Sequence, residues 1–107
     1  MNDLPRRLRR LEPVELAVLP GVDVRRAADP LARLLGLAGL RALPHGSALL
    51  LPRTRSIHTC GMRFALDLLW LDGDGRVLRA DRGVRPWRLR SCRAASQVVE
   101  LPSPVDP

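Results

Sequence analysis

The sequence predicts a mainly β protein, α+β by content: a compact sandwich-like, jelly-roll-like or barrel-like antiparallel fold with one or two short helices. One sequence pattern supports the β content, and two features of the composition describe the core. Short apolar runs alternate along the chain with turns rich in glycine and proline. Apolar residues make up 46% of the 107 residues, as in ordinary globular proteins. Aromatic residues make up only 3%, so the core must be built from leucine, valine and alanine.

The chain is predicted to form one domain between two short tails. Residues 1–12 are expected to be a basic flexible tail, residues 13–102 a single β-rich domain, and residues 103–107 a C-terminal tail. Leu4, Leu8 and Leu11 recur at helical spacing among arginines, but this stretch is too short for an independent helix. We therefore expect a frayed, solvated tail in preference to a docked or membrane-surface helix.

The first half of the domain is predicted to hold a strand, a helix and a second strand. Residues 14–19 alternate between apolar and polar and end at a Pro-Gly turn, which indicates a strand. A helix is expected to begin near Asp29, because a proline follows it, and to end at Gly36 or Gly39. The continuous apolar run 47–51 indicates a buried strand.

The second half is predicted to contain the central strand. Residues 64–71 are apolar on both faces, which is typical of a strand covered on both sides. A turn is expected at residues 73–75, a returning strand over 76–80, and a last strand over 97–101. The side chains that we predict to be buried on the central strand are Leu66, Leu68 and Trp70.

The chain has a net charge of +7, and all 18 of its basic residues are arginines. Basic charge favours solubility and nonspecific association, but it does not define a nucleic-acid interface. Trp87, between Arg85 and Arg88, is the nearest approach to an aromatic stacking platform. Nucleic acid is therefore not the expected partner.

The N-terminus has no apolar signal core, and no segment approaches the length of a membrane span. We therefore expect a cytoplasmic location. Cys60 and Cys92 are then expected to be reduced, structural thiols.

The most informative polar residue is Asp67, which interrupts the apolar central strand. A buried carboxylate needs partners. Arg63 and His58 are the nearest candidates, and Glu100 on the last strand is a candidate second acid. One interpretation is an ionised Asp67 at the base of a pocket walled by Trp87; the other is a paired aspartate that ties the preceding loop to the sheet.

Other groups of residues give weaker functional signals. Trp87 either walls a ligand pocket or plugs the end of the core. His58 and Cys60 form only one short pair of candidate ligands, so no metal is predicted. A nucleophilic cysteine with His58 as its base lacks a third, orienting group.

Four groups of residues are distinctive: the block with His58, Thr59, Met62 and Arg63, the strand with Asp67, the pair Pro86-Trp87, and the run Glu100-Leu101-Pro102. With these motifs the chain resembles, over roughly residues 28–102, the bacterial and archaeal family called domain of unknown function 192. The resemblance implies a compact, mainly β fold of the sandwich or jelly-roll kind, with no established activity. Relatives often have proline where Ala65 stands, and they often continue into another strand. We therefore expect an open sheet edge that a second copy could cover.

Three functional classes follow. The favoured one is a non-catalytic binding or accessory module for a small anionic or sugar-like ligand or a partner peptide. The alternatives are an enzyme that uses Asp67 or His58 as acid or base, and a nonspecific nucleic-acid binder. No catalytic residue, metal or cofactor is assigned. The predicted ligand-binding residues are His58, Thr59, Arg63, Asp67, Trp87 and Glu100.

Overall fold

The structure is a computed structural model that describes residues 4–104. This part of the chain folds into a six-stranded sheet, a two-stranded ribbon and two short helices, and neither sheet closes into a barrel. The predicted mainly β fold is confirmed. In chain order the elements are α1 (Arg6–Arg9), β1 (Glu12–Val14), β2 (Asp23–Arg26), α2 (Pro30–Leu35), β3 (Ser47–Pro52), β4 (Ser56–His58), β5 (Leu66–Leu71), β6 (Val77–Val84), β7 (Leu89–Ser91) and β8 (Gln97–Pro102).

The large sheet has the strand order β1-β2-β3-β8-β5-β6. Only the β2–β3 pair among these strands is parallel; the other neighbours are antiparallel. The last strand, β8, therefore lies between β3 and β5. Strand β5 has a partner on each side, which confirms its predicted interior position.

Each face of the large sheet carries its own apolar cluster. Side chains on a strand alternate between the two faces, so Leu66, Leu68 and Trp70 lie in the larger cluster. All three are fully buried, as predicted. The smaller cluster, around Val24 and Val99, lies on the opposite face.

The predicted strand over residues 14–19 is wrong. The strand β1 ends at Val14, and two turns follow, closed by hydrogen bonds from the Leu19 N–H to the Leu16 carbonyl and from the Val22 N–H to the Leu19 carbonyl. By contrast, the predicted helix is confirmed. Its Asp29 side chain caps the first turn by accepting from the Ala32 N–H at 2.8 Å.

The expected solvated N-terminal tail is also wrong for the residues that the structure describes. Leu4 and Leu8 lie in the larger apolar cluster, and Leu8 is only 1% exposed. The burial of these leucines stabilises a helix that is too short to form alone. Residues 1–3, and residues 105–107 of the predicted C-terminal tail, lie outside the described part.

Between residues 4 and 104, no helix combines the length and the apolar character needed to cross a membrane.

Candidate functional site

An open cavity of about 770 Å³ lies beside α2, β3, β4 and β8. This volume is within the range typical of small-molecule sites. Its apolar lining includes Leu37, Leu51 and Met62, and its polar lining comes from several different elements. The polar lining residues that matter most are Arg33, Gly36, Arg53, Arg55, His58 and Glu100.

Glu100 is the buried acid of this cavity. Strand β8 places it in register between Leu49 of β3 and Leu68 of β5, so its side chain faces the larger apolar cluster. Glu100 is only 3% exposed, and its Oε1 has no hydrogen-bond partner among the described residues. Burial raises the pKa of Glu100 to about 8. The side chain is therefore a neutral carboxylic acid at pH 7, which can donate one hydrogen bond and accept others.

Gly36 brings the backbone close to this acid. The helix α2 ends at Leu35, and Gly36 is its C-terminal cap, with a φ of +50° that favours glycine. A Cβ atom at this position would lie 3.3 Å from Oε1 of Glu100. The absence of a side chain at residue 36 therefore leaves room beside the carboxyl group.

Three arginines line the same cavity. The Nε–H of Arg33 is buried and has no partner within residues 4–104, while its Nη1 lies 3.4 Å from the Pro52 carbonyl. Arg53 and Arg55 are exposed and follow β3. Guanidinium groups remain charged at every physiological pH. The cavity thus combines permanent positive charge with an unpaired donor on Arg33 and an unpaired oxygen on Glu100.

The structure brings only two of the six predicted site residues to this cavity. His58 and Glu100 line it, whereas Thr59, Arg63, Asp67 and Trp87 are not among its lining residues. Asp67 and Glu100 cannot share a site, because Glu100 pairs with Leu68 and successive residues point to opposite faces of a sheet.

The proposed partners of Asp67 are wrong. Its Oδ1 accepts from the Gly83 N–H at 2.9 Å, and its Oδ2 lies 3.5 Å from Nη1 of Arg82. The reason is a β-bulge: the pairing of β5 with β6 shifts between Leu66 and Leu68. A bulge leaves a backbone N–H without a partner on the neighbouring strand, and here the Asp67 carboxylate accepts from that group, the N–H of Gly83. Asp67 is therefore a paired aspartate and does not lie at the base of the cavity. It is paired with β6 and not with the loop that precedes β5.

Thr59 joins two loops. It is fully buried, and its Oγ1 donates to the Arg85 carbonyl at 2.7 Å and accepts from the Arg88 N–H at 2.8 Å. Its carbonyl accepts from the Trp87 N–H at 3.1 Å. Thr59 therefore fixes the loop 85–88 beside the β4–β7 ribbon.

Trp87 neither walls the cavity nor plugs the core. It is 69% exposed and has a φ of +65°, held in that conformation by the bonds to Thr59. Arg63 is exposed as well. Both cysteines are free thiols, with Cys60 exposed and Cys92 buried. Across the described chain, no three histidine, cysteine, aspartate or glutamate side chains lie close enough together to hold a metal ion.

Sequence reasoning missed Arg33, Gly36, Arg53 and Arg55. They belong to α2, to its C-terminal cap and to the loop after β3, and they line the same cavity as Glu100 only in the folded chain. The available signal was Glu100 itself, because a carboxyl in the apolar run 97–101 requires either a partner or a raised pKa.

The fold and the cavity define a small mixed-sheet β protein with an open, arginine-lined pocket over a buried neutral acid. Residues 16–105 match the family model DUF192, described as "Uncharacterized ACR", and the chain belongs to this family.

Two crystal structures share the fold. One is a protein of unknown function from Novosphingobium aromaticivorans DSM 12444, with a TM-score of 0.70 and 14% identity. The match covers 78% of this chain and 64% of that protein, so this chain spans less than two thirds of it. The other is a "putative transcription regulator" from Sinorhizobium meliloti 1021, with a TM-score of 0.70, 24% identity, and coverage of 77% of this chain and 69% of that one. No curated protein of known function matches the chain.

Proposed function

We propose that this protein is a non-catalytic binding module that takes a small anionic, sugar-like ligand in the pocket above Glu100. The observation that carries the proposal is the unpaired Oε1 of a 97% buried carboxyl group that lines an open cavity beside three arginines. A buried polar atom without a partner costs free energy, so a ligand that supplies the missing hydrogen bond is favoured.

The chemistry of the lining selects the ligand class. Arg33, Arg53 and Arg55 can bind a carboxylate or a phosphate through charge-assisted hydrogen bonds. The neutral acid of Glu100 can both donate to and accept from a hydroxyl group. A compound that carries an anion and a hydroxyl on one small skeleton satisfies both ends, as a sugar acid or a sugar phosphate does.

The location that we propose remains the cytoplasm, because both cysteines are unpaired thiols.

The first test is a binding experiment with four defined probes: glucuronate, glucose 6-phosphate, inorganic phosphate and glucose. We expect one of the two anionic sugars to raise the melting temperature and to bind in titration calorimetry more tightly than inorganic phosphate or glucose. Arg55→Met should weaken that binding about tenfold or more, because one charge-assisted contact is lost. Arg76→Met is the matched control, since Arg76 is exposed and does not line the cavity.

The second test uses pH. Above about pH 8 the Glu100 carboxyl ionises and places a negative charge among Arg33, Arg53, Arg55 and His58. Affinity for an anion should then fall in the wild type but not in Glu100→Gln, which stays neutral. Equal losses in Arg55→Met and Arg76→Met, or no binding of either anionic sugar, would contradict the proposal. If the protein only binds the probe, the probe will be recovered chemically unchanged after incubation; a converted probe would indicate an enzyme.

A further inference from the structure

Arg7 connects the N-terminal helix α1 to residues 36–38, which form one wall of the cavity. Its Nη2 donates to the carbonyl of Gly36 at 2.8 Å and to the carbonyl of Ala38 at 3.0 Å. Both acceptors belong to residues that line the cavity. The neighbouring Leu8 anchors α1 in the larger apolar cluster, so the guanidinium is presented from a fixed element.

The segment held by Arg7 is the one that lies over Glu100. Gly36 approaches Oε1 so closely that an added Cβ would be 3.3 Å away. Directly after this segment, the Gly39 N–H donates to the Gly61 carbonyl at 2.9 Å. Residues 36–38 are therefore held by the two hydrogen bonds from Arg7 of α1, and the residue that follows them is fixed by the bond to Gly61.

Arg7 lies outside residues 16–105, the part that matches the family model. We infer that Arg7 is a positioning residue of the pocket, and that the N-terminal segment preceding the family region completes the anion-binding site by holding residues 36–38 over Glu100. This inference rests on the proposed function for its binding arm, but the position of the wall can be measured without any ligand.

The ligand-free measurement is the titration of Glu100 by ¹³C NMR. The sequence contains three glutamates, so side-chain carboxyl labelling gives three signals, and exposed Glu12 and Glu15 serve as internal references. In Arg7→Met, which keeps the apolar stem and loses both hydrogen bonds, water should reach the carboxyl group. The pKa of Glu100 should then fall from about 8 toward its ordinary range.

The charged and titratable groups around Glu100 are Arg33 of α2, Arg53 and Arg55 after β3, and His58 of β4. None of them is changed in the variant. Arg9→Met is the matched control, because it removes the same charge from the exposed side of α1. Its Glu100 titration should equal that of the wild type.

The binding arm uses the anionic sugar that binds the wild type most tightly. Affinity should fall about five- to tenfold in Arg7→Met and stay unchanged in Arg9→Met, a loss expected from two hydrogen bonds of a charged donor. Arg7→Lys keeps a charged donor group but on a shorter side chain without the planar guanidinium, so it should give intermediate values in both measurements. It also replaces Arg7→Met if that variant does not fold. A lowered melting temperature with an unchanged Glu100 titration would overturn the inference. If no probe binds the wild type but the titration shifts, the proposed function fails and the positioning role of Arg7 stands.

Discussion

The buried acid on β8 makes the stability of the protein depend on pH in a defined direction. The unfolded chain exposes Glu100 and gives it an ordinary pKa of 4.5, whereas burial raises the pKa to about 8 in the folded state. Between these values the unfolded state releases the proton and the folded state keeps it. The contribution of Glu100 to stability is therefore fully present below pH 4.5 and falls as the pH rises toward 8.

The size of the effect follows from the interval between the two pKa values. One pH unit corresponds to about 1.4 kcal/mol of free energy of unfolding, so an interval of about 3.5 units amounts to roughly 5 kcal/mol. Between pH 5 and pH 7.5 the expected loss is about 3 kcal/mol. Solvent screening reduces this free energy only slightly, because Glu100 is only 3% exposed.

The assay is urea unfolding of wild type and Glu100→Gln at several pH values from 5 to 7.5. Other titrating groups contribute equally to both proteins, so the difference between the two free energies isolates Glu100. The wild type should lose about 3 kcal/mol relative to the variant over this range. Glu15→Gln, at an exposed position, should run parallel to the wild type. Parallel profiles for Glu100→Gln, within about 0.5 kcal/mol, would refute the reasoning.

Three further predictions concern the fold. Leu68→Ala should lower the free energy of unfolding by about 2 to 5 kcal/mol because Leu68 is fully buried; a loss below about 1 kcal/mol in urea melts would contradict its core position. Thr59→Val should cost about 1 to 3 kcal/mol, since the substitution removes the hydroxyl that joins the loop 85–88 to Thr59; wild-type stability would refute this role. Thiol titration should detect Cys60 in the native protein and Cys92 only after unfolding, and protein without any free thiol under non-reducing denaturation would exclude this assignment.

The parts of the fold that could be predicted carry strong local signals. Strands β3, β5 and β8 are apolar runs that end at turn residues, and α2 has a capping aspartate and a terminal glycine. Strand β2 could not be predicted, because its residues are mostly charged and it is held by parallel pairing with β3. Strands β4 and β7 are three residues each, too short for a periodic pattern.

The residues of the candidate site also divide into those with a local sequence signal and those that only the tertiary fold brings together. Glu100 could be singled out because an acid in an apolar strand is unusual. His58 could be singled out only as a candidate partner of Asp67, and the structure gives Asp67 other partners. The cavity could not be predicted, since Arg33 and Gly36 lie far from Glu100 in the sequence and line the same cavity only in the folded chain. The pairing of Asp67 with β6 depends on a bulge, which shifts the register by one residue and leaves no local signature in the apolar pattern.

The position of β8 in the sheet also determines when the protein can fold during its synthesis. Ribosomes make a chain from its N-terminus, so β8 (Gln97–Pro102) emerges after the seven strands that precede it. Until then β3 and β5 each lack the neighbour that joins the two halves of the large sheet, and each has an edge of unpaired backbone N–H and C=O groups. A nascent chain that pauses before residue 97 therefore exposes two strands that can pair with other chains. Chaperones would protect the protein most during that interval of translation.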